Sequence, residues 1–323
     1  MDCIGKSSVA FPHHFPTTEY VLLYPPPSPR MSSLYLTSYI SSPLFLQELE
    51  KRKLPYDALF FETQKPSSES LLDYRTEMLE QTSNPLFILH QLPLSFLTPL
   101  LTKWQDKPFT IINLFTGIGS LGRKLNAEFQ DMDPLPREFP KYEPLDLMNF
   151  FQILEQPHTK YLRIPYQHFP QSIFSTEEIG IIDAQMLTTL ETFSLKTYGY
   201  SGENGTIIAT GANFPTLLQL GDLLQSAGNA MDLFTITKFP LQLTQEMKDS
   251  LHQTKKLFFI SDFLPSQARK DHFHSSLKSQ GFSQGEIHYL SPHYQQVTTI
   301  FDEFSTEQAG FDAKGLAERI LEK

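Results

Sequence analysis

Short hydrophobic runs alternate with amphipathic stretches along most of the chain. Apolar runs bounded by turn residues are typical of buried strands, whereas apolar positions spaced three and four residues apart predict helices. The pattern predicts strands at 57–61, 86–90, 109–115, 160–164, 206–209, 231–237, 256–261 and 286–290. It predicts helices at 44–52, 68–81, 94–104, 144–156, 215–227, 244–253, 267–280 and 312–322.

Strands that alternate with helices indicate βαβ units, in which the strands pair in parallel. We therefore assign both halves of the chain to the α/β class, with mainly parallel sheets. The alternation weakens at 176–200, which we interpret as a connection between one domain at 43–175 and another at 201–323. Residues 1–42 are rich in Pro, Ser and Tyr and predict an irregular arm with one strand near 19–24.

Composition narrows the class of protein. The 323 residues carry a formal net charge of −10, which argues against a broad nucleic-acid surface because phosphate binding needs clustered Lys and Arg. No apolar run approaches the roughly 18–20 residues of a membrane span, and the N-terminus lacks the apolar stretch of a secretory signal. Cys3 is the only cysteine, so a disulfide within the chain is excluded. We therefore expect a cytoplasmic protein without nucleic-acid or membrane partners.

Several short strings follow one another in an order that one enzyme family shares. Glu143-Pro144-Leu145-Asp146 precedes a predicted helix, and the strand after it reads Tyr-Leu-Arg-Ile-Pro at 161–165. Residues 205–211 read Gly-Thr-Ile-Ile-Ala-Thr-Gly, and residues 311–316 read Phe-Asp-Ala-Lys-Gly-Leu. This series resembles the C-terminal half of transketolase and the beta subunit of 2-oxo acid dehydrogenases, and the resemblance covers roughly residues 55–323.

The resemblance implies a pyrimidine-binding domain followed by a transketolase C-terminal-type domain, each with three α/β/α layers. In such enzymes thiamine diphosphate lies between the pyrimidine domain of one subunit and the diphosphate-binding domain of another. The G-D-G…N motif that binds Mg²⁺ and the diphosphate is absent from this sequence. The cofactor would therefore be shared with a partner subunit that supplies the Mg²⁺ site, and we assign no metal ligand to this chain.

The resemblance also suggests a catalytic acid. A carboxylic acid against the pyrimidine ring drives the tautomer shift by which the ring removes the C2 proton. Ser67-Ser68-Glu69-Ser70 opens a predicted helix, and Pro85 stands 16 residues after Glu69, a spacing similar to the family's. The resemblance therefore implies a catalytic role for Glu69. A Ser-capped helix with an acidic first turn has the same pattern without any function.

The loop after the strand at 109–115 reads Gly-Ile-Gly-Ser-Leu-Gly at 117–122, which is also a dinucleotide-binding fingerprint. That interpretation requires a second strand, but the proline-rich stretch at 133–140 cannot form one, so it disfavours a nucleotide-binding oxidoreductase. The resemblance implies instead that Gly117, Ile118 and Gly119 lie beside thiamine diphosphate.

Two family positions are not matched. The family's glycine loop precedes a histidine that contacts substrate, yet no histidine occurs between His90 and His158. The aromatic residue that stacks on the pyrimidine ring is also missing; His90 or Phe96 could replace it, or could pack in a core instead. His272 and His274 are two apart on a predicted helix and therefore do not face each other as metal ligands would.

Two functions remain open. The first is the C-terminal subunit of a split transketolase-like enzyme that transfers a two-carbon unit from a sugar phosphate or a 2-oxo acid, together with a diphosphate-domain subunit. The alternative is a non-catalytic structural or regulatory subunit that keeps the fold and the dimer surface. In both cases the apolar residues of 94–104 and of the helix after Glu69 predict a two-fold homodimer or an α₂β₂ assembly.

Overall fold

The structure is a computed structural model. It describes residues 5–8, 19–22, 40, 43–54, 58–62, 85–90, 108–116, 140–145, 147–165, 194–196, 202–262, 267–293 and 305–323. Strands β1 (Gly5–Ser8) and β2 (Glu19–Leu22) form a small antiparallel sheet. The remaining strands form one sheet of six strands and one of five, here named the first and the second sheet.

Five parallel strands from the first half of the chain make up most of the first sheet. They are β3 (Ala58–Glu62), β4 (Pro85–His90), β5 (Thr110–Thr116), β6 (Lys141–Tyr142) and β7 (Lys160–Pro165). Their order across the sheet is β6-β7-β5-β4-β3. Strand β11 (Lys238–Phe239), from the second half of the chain, pairs antiparallel with β6 and forms the sheet's edge.

Two helices cover one face of the first sheet. Helices α1 (Pro43–Lys51) and α2 (Leu147–Leu154) share a core with apolar residues of β4, β5 and β7. The ring of Phe45 lies 5.9 Å from that of Phe150 and 6.3 Å from that of Phe151, measured between centroids. Ala212, from the second half of the chain, is part of the same core.

The second sheet has four parallel strands and one antiparallel edge strand. The strands are β8 (Ser194–Lys196), β9 (Thr206–Thr210), β10 (Asp232–Ile236), β12 (Lys256–Ile260) and β13 (Glu286–Leu290), in the order β13-β12-β9-β10-β8. Only β8 runs antiparallel to its neighbour in this sheet.

Helices pack on both faces of the second sheet. Helices α3 (Phe214–Ser226) and α7 (Ala313–Leu321) share one core with it, and α4 (Gln245–Thr254) and α5 (Gln267–Ser279) share another. A short helix, α6 (Ser305–Gln308), precedes α7. The chain leaves β9 through α3 on one face and leaves the adjacent β12 through α5 on the other. The winding therefore reverses between β9 and β12, which makes this the topological switch point of the sheet.

The α/β class, the two mainly parallel sheets and most element positions are confirmed. The predicted strand 286–290 agrees to the residue, whereas the helices at 68–81 and 94–104 lie outside the described residues. The helix predicted from residue 144 begins at Leu147 instead, and the backbone N–H of Leu145 just before it donates to the side chain of Asn149. Strands β6, β8 and β11 were not predicted, since two or three residues are too few to show a period.

Candidate functional site

The predicted cofactor residues follow the carboxyl ends of neighbouring strands in the first sheet. Strand β4 ends at His90 and β5 ends at Thr116, and His90 pairs in register with Leu114. The backbone of His90 is therefore at the edge where parallel sheets bind ligands. The other candidates lie outside the described residues: Glu69, Phe96, Gly117, Ile118 and Gly119. Their roles, and that of the His90 side chain, stay predictions.

A buried cluster of charged side chains lies where the two sheets meet. Nη1 of Arg163 donates to Oε2 of Glu143 over 2.8 Å and to Oδ1 of Asp262 over 2.6 Å. Each of the three side chains is 4% exposed or less. Glu143 directly follows β6 and Arg163 lies in β7, whereas Asp262 follows β12. This junction cluster (Glu143, Arg163 and Asp262) therefore links the first sheet to the second.

Glu143 is held on several sides by the second half of the chain. Its Oε1 accepts a hydrogen bond of 3.0 Å from the backbone N–H of Ala212. The hydroxyl of Thr210 lowers the pKa of the same carboxylate and accepts a hydrogen bond of 2.8 Å from Nδ2 of Asn213. The backbone N–H of Glu143 donates to the carbonyl of Thr237 over 2.9 Å. A carboxylate so enclosed is held in place and is not open to a substrate.

The charges of the junction cluster do not balance. One guanidinium faces two carboxylates, so the ionised cluster has a net charge of −1. Burial raises the pKa of Glu143; the positive charge of Arg163 opposes this rise, and the negative charge of Asp262 adds to it. The N–H of Ala212 lies at the start of the turn that leads into α3, where the helix dipole favours an anion. The Ala212 N–H and the dipole of α3 therefore compensate in part for the excess negative charge of the junction cluster.

Glycine at position 211 permits the close contact between the two halves. A Cβ atom built on Gly211 would overlap the carbonyl oxygen of Glu143 and lie 3.1 Å from the carbonyl carbon of Pro144. Any larger residue would therefore push the main chain of Glu143 away from the start of α3. The requirement is one of space, because the backbone at Gly211 has no positive φ.

A second group of titratable side chains, which the sequence did not predict, lies around the start of β7. The Tyr142 hydroxyl is 2.8 Å from Nε2 of His158. The amine of Lys160 donates to the main-chain carbonyls of Gln156 and His158. Burial lowers the pKa of Lys160 to about 8, lowers that of His158, and raises that of Tyr142 to about 12. The Lys160 amine therefore binds main-chain carbonyls of the loop between α2 and β7.

The two histidines of α5, His272 and His274, do not belong to a group of metal-binding side chains among the described residues. His274 stacks on Tyr289 with ring centroids 5.8 Å apart, and both His272 and His274 are exposed on α5. Within the described parts of the chain, no three His, Cys, Asp or Glu side chains are grouped as metal ligands would be. Among those same residues, no helix combines the length and apolar character needed to cross a bilayer.

In three dimensions the chain is similar to transketolases. A split-gene transketolase, whose structure is an inactive beta4 tetramer, matches with a TM-score of 0.54 and 14% sequence identity. The match covers 86% of this chain and 94% of that chain. This chain has a transketolase-type fold.

Longer transketolases match over a smaller share of their own length. The enzyme from Campylobacter jejuni matches with a TM-score of 0.47 and 14% identity over 74% of this chain and 36% of its own. A transketolase variant from Pichia stipitis matches with a TM-score of 0.48 and 13% identity over 73% and 33%. Neither a protein-family model nor a curated protein matches the sequence.

The transketolase-type fold gives a structural meaning to the strings that carry the resemblance. Glu143, Arg163 and Gly211 each belong to one of those strings, and all three lie at the junction of the two sheets. Their contact was not predicted from the sequence, and neither was the role of Asp262. The signal that could have found it was a polar Ser261-Asp262 pair directly after a strongly apolar strand.

Proposed function

We propose that this chain is the C-terminal subunit of a split, thiamine-diphosphate-dependent enzyme of the transketolase type. The observation that carries the proposal is the match to the split-gene transketolase, which covers 86% of this chain and 94% of that chain. By the family resemblance, residues 55–323 correspond to the pyrimidine-binding and C-terminal-type domains, and the G-D-G…N motif of the diphosphate-binding domain does not occur in this sequence. We therefore propose that a separate chain supplies that domain and its Mg²⁺ site.

The roles of individual residues follow from the family resemblance. We propose that Glu69 donates a hydrogen bond to the pyrimidine ring as a carboxylic acid, and that Gly117, Ile118 and Gly119 line the same ring. His90 or Phe96 would provide the stacking surface. The pairing of His90 with Leu114 supports this proposal, because the carboxyl ends of β4 and β5 then lie side by side in the sheet. Bound thiamine diphosphate would supply the carbanion chemistry of two-carbon transfer.

The proposed division between two subunits predicts that the isolated chain is inactive. The chain would be purified alone and titrated with thiamine diphosphate and Mg²⁺ by calorimetry. We expect no micromolar binding, because the diphosphate ligands are elsewhere. Micromolar binding by the isolated chain would contradict the requirement for a partner.

The partner itself is tested by purification of the tagged chain from its own cells. We expect a protein with a G-D-G…N motif to co-purify, and the complex to bind thiamine diphosphate and transfer a two-carbon unit between sugar phosphates or from a 2-oxo acid. Glu69→Gln in the complex should abolish turnover while cofactor binding remains, whereas Glu50→Gln, at an exposed position of α1, should leave both unchanged. A fully active Glu69→Gln complex would disprove the catalytic assignment.

A second candidate, a non-catalytic subunit, is favoured by the unmatched histidine and aromatic positions. Such a subunit would join the same assembly without completing a cofactor site. The purified complex discriminates between the two candidates. Assembly without cofactor binding would identify a structural or regulatory subunit.

For assembly we propose a two-fold homodimer or an α₂β₂ complex, with an interface larger than roughly 2,000 Å². The segments expected to form that interface, residues 94–104 and the helix after Glu69, lie outside the described residues. Light scattering at low micromolar concentration should give a mass of at least a dimer. A monomer mass would contradict the proposal. We place the complex in the cytoplasm, as the sequence suggests.

A further inference from the structure

The switch point of the second sheet is closed by other parts of the chain. Open doubly wound sheets bind ligands in the crevice outside the carboxyl ends of their strands, at the switch point. Here the adjacent strands β9 and β12 end at Thr210 and Ile260, and the chain then continues into Ala212 and Asp262. All four residues are buried, with exposures of 4% or less.

The groups around this crevice are those of an anion site. The backbone N–H of Ala212 donates to one carboxylate, that of Glu143, and the hydroxyl of Thr210 lowers the pKa of the same carboxylate. Backbone N–H groups at the start of a helix, together with an arginine, are the donors that proteins use to bind carboxylates and phosphates. Arg163 completes the set with its hydrogen bond of 2.8 Å to Glu143, while its contact with Asp262 ties it to the end of β12.

The main chain of Glu143 also contacts the second half of the chain at the crevice. Its N–H donates to the carbonyl of Thr237, the residue after β10. Its carbonyl oxygen occupies the space that a side chain at position 211 would need. The ends of β9, β10 and β12 therefore all contact the Glu143–Arg163 pair.

We infer that the switch-point crevice of the second sheet is a carboxylate-binding site whose ligand is Glu143 of the same chain. The crevice thus holds an internal carboxylate where other doubly wound sheets hold a small anionic ligand, and its donors come from both halves of the chain: Ala212 from the second and Arg163 from the first. The crevice is consequently closed to an external substrate. This inference goes beyond the proposed function, because it holds whether or not the assembly is catalytic.

Replacing the internal ligand by an external one tests the inference. The substitution Glu143→Ala removes a CH₂–COO⁻ group, which acetate reproduces in size and charge. The unfolding temperature of the full chain carrying Glu143→Ala would be measured, with a check that unfolding is reversible, in sodium acetate and in sodium chloride at equal ionic strength. We expect acetate at roughly tenfold above its Kd to raise the unfolding temperature of the variant by about 1–3 °C. The wild-type chain, whose site is filled, should not respond.

Three controls make the acetate response specific. Acetamide has the shape of acetate without its charge and should have no effect. Propionate is one methylene longer than the deleted group and should stabilise the variant less than acetate does. The double variant Glu143→Ala/Arg163→Met lacks the guanidinium and should lose the acetate response. Equal responses to acetate and chloride in the single variant would overturn the inference.

A second measurement keeps the inference testable if Glu143→Ala does not fold. Glu143→Gln keeps the size of the side chain and an acceptor for Ala212 but removes the negative charge. An amide hydrogen bond to a carboxylate is stronger than one to a neutral carbonyl. We therefore expect the amide proton resonance of Ala212 to move upfield in Glu143→Gln, with no comparable change at Leu224, which is buried near the C-terminal end of α3. An unchanged Ala212 resonance would likewise overturn the inference.

Discussion

The backbone N–H of Ala212 donates a 3.0 Å hydrogen bond to the carboxylate of Glu143, which lies 69 residues earlier in the chain. The contact joins the carboxyl end of β9 in the second sheet to the residue after β6 in the first. Ala212 is also part of the apolar core of the first sheet, so polar and apolar contacts coincide at this point. We therefore expect the two halves of the chain to unfold together and not one after the other.

The unequal charges of the junction cluster predict unequal effects of substitution. Arg163→Met would leave two carboxylates buried without their cation and should destabilise the protein by about 3–5 kcal/mol. Glu143→Gln would leave a neutral Arg163–Asp262 pair and keep an acceptor for Ala212, so it should cost only about 1–2 kcal/mol. Denaturant unfolding of the two variants measures the difference. A Glu143→Gln variant less stable than Arg163→Met would contradict the charge argument.

The same cluster predicts a dependence on pH. Without Arg163, the folded-state pKa of Glu143 should rise further above its unfolded value, because burial is then unopposed by a positive charge. A carboxyl with a raised folded pKa contributes stability that is present at low pH and is lost as the pH rises through that pKa. Arg163→Met should therefore regain stability relative to the wild type when the pH falls from about 7.5 to about 5.

The control for this pH dependence is the double variant Glu143→Gln/Arg163→Met. It lacks one of the two carboxylates, so its stability should change less with pH than that of Arg163→Met. Unfolding would be measured in denaturant at each pH for all three proteins. Parallel curves for the single variant and the wild type would show that the arginine does not govern the ionisation of Glu143.

The sequence predicted the helices and strands better than the contacts between segments that are distant in the chain. Strand 286–290 was found because it is a discrete run between turn residues, and the adjacent helix ended where Gly281 has a positive φ. Strands β6 and β11 escaped prediction because each has two residues and exists only through pairing with a distant segment. The Arg163–Asp262 contact spans 99 residues, and no local pattern encodes such a separation.

The candidate cofactor residues and the junction cluster were identified in different ways. Glu69 and the glycine loop were predicted from the family resemblance alone, whereas the junction cluster was found from the geometry of the structure alone. The strings that carried the resemblance proved to be residues that hold the two sheets together, such as Glu143 and Gly211. A family signature of this kind reports a shared fold, and chemistry has to be established at the site itself.

The space at Gly211 predicts a steric effect. Gly211→Ala should destabilise the protein because the new Cβ would overlap the carbonyl oxygen of Glu143, and main chain cannot move aside without loss of the junction contacts. Gly228→Ala is a suitable control, since Gly228 has a positive φ of 74° but no atom within 4 Å of the place where a Cβ would lie. Its cost should be about 1 kcal/mol of backbone strain.

Denaturant unfolding of the two glycine variants tests this prediction. We expect Gly211→Ala to be the less stable of the two, and its Ala212 amide to exchange with solvent faster than in the wild type. A Gly211→Ala variant as stable as Gly228→Ala would show that the junction tolerates a shift of the main chain.

Lys160 predicts a stability difference at alkaline pH. Burial lowers its folded-state pKa from 10.5 to about 8, so between these two values the unfolded chain binds more protons than the folded one. Stability therefore rises with pH across this window, by at most about 1.4 kcal/mol per pH unit.

Lys160→Met removes the titrating amine but keeps most of the apolar stem. The wild type should accordingly gain stability relative to Lys160→Met between pH 8 and pH 9.5. Other groups, including Tyr142, are common to both proteins and cancel in the difference. A difference that stays constant over this range would mean that the Lys160 amine is as well solvated in the folded chain as in the unfolded one.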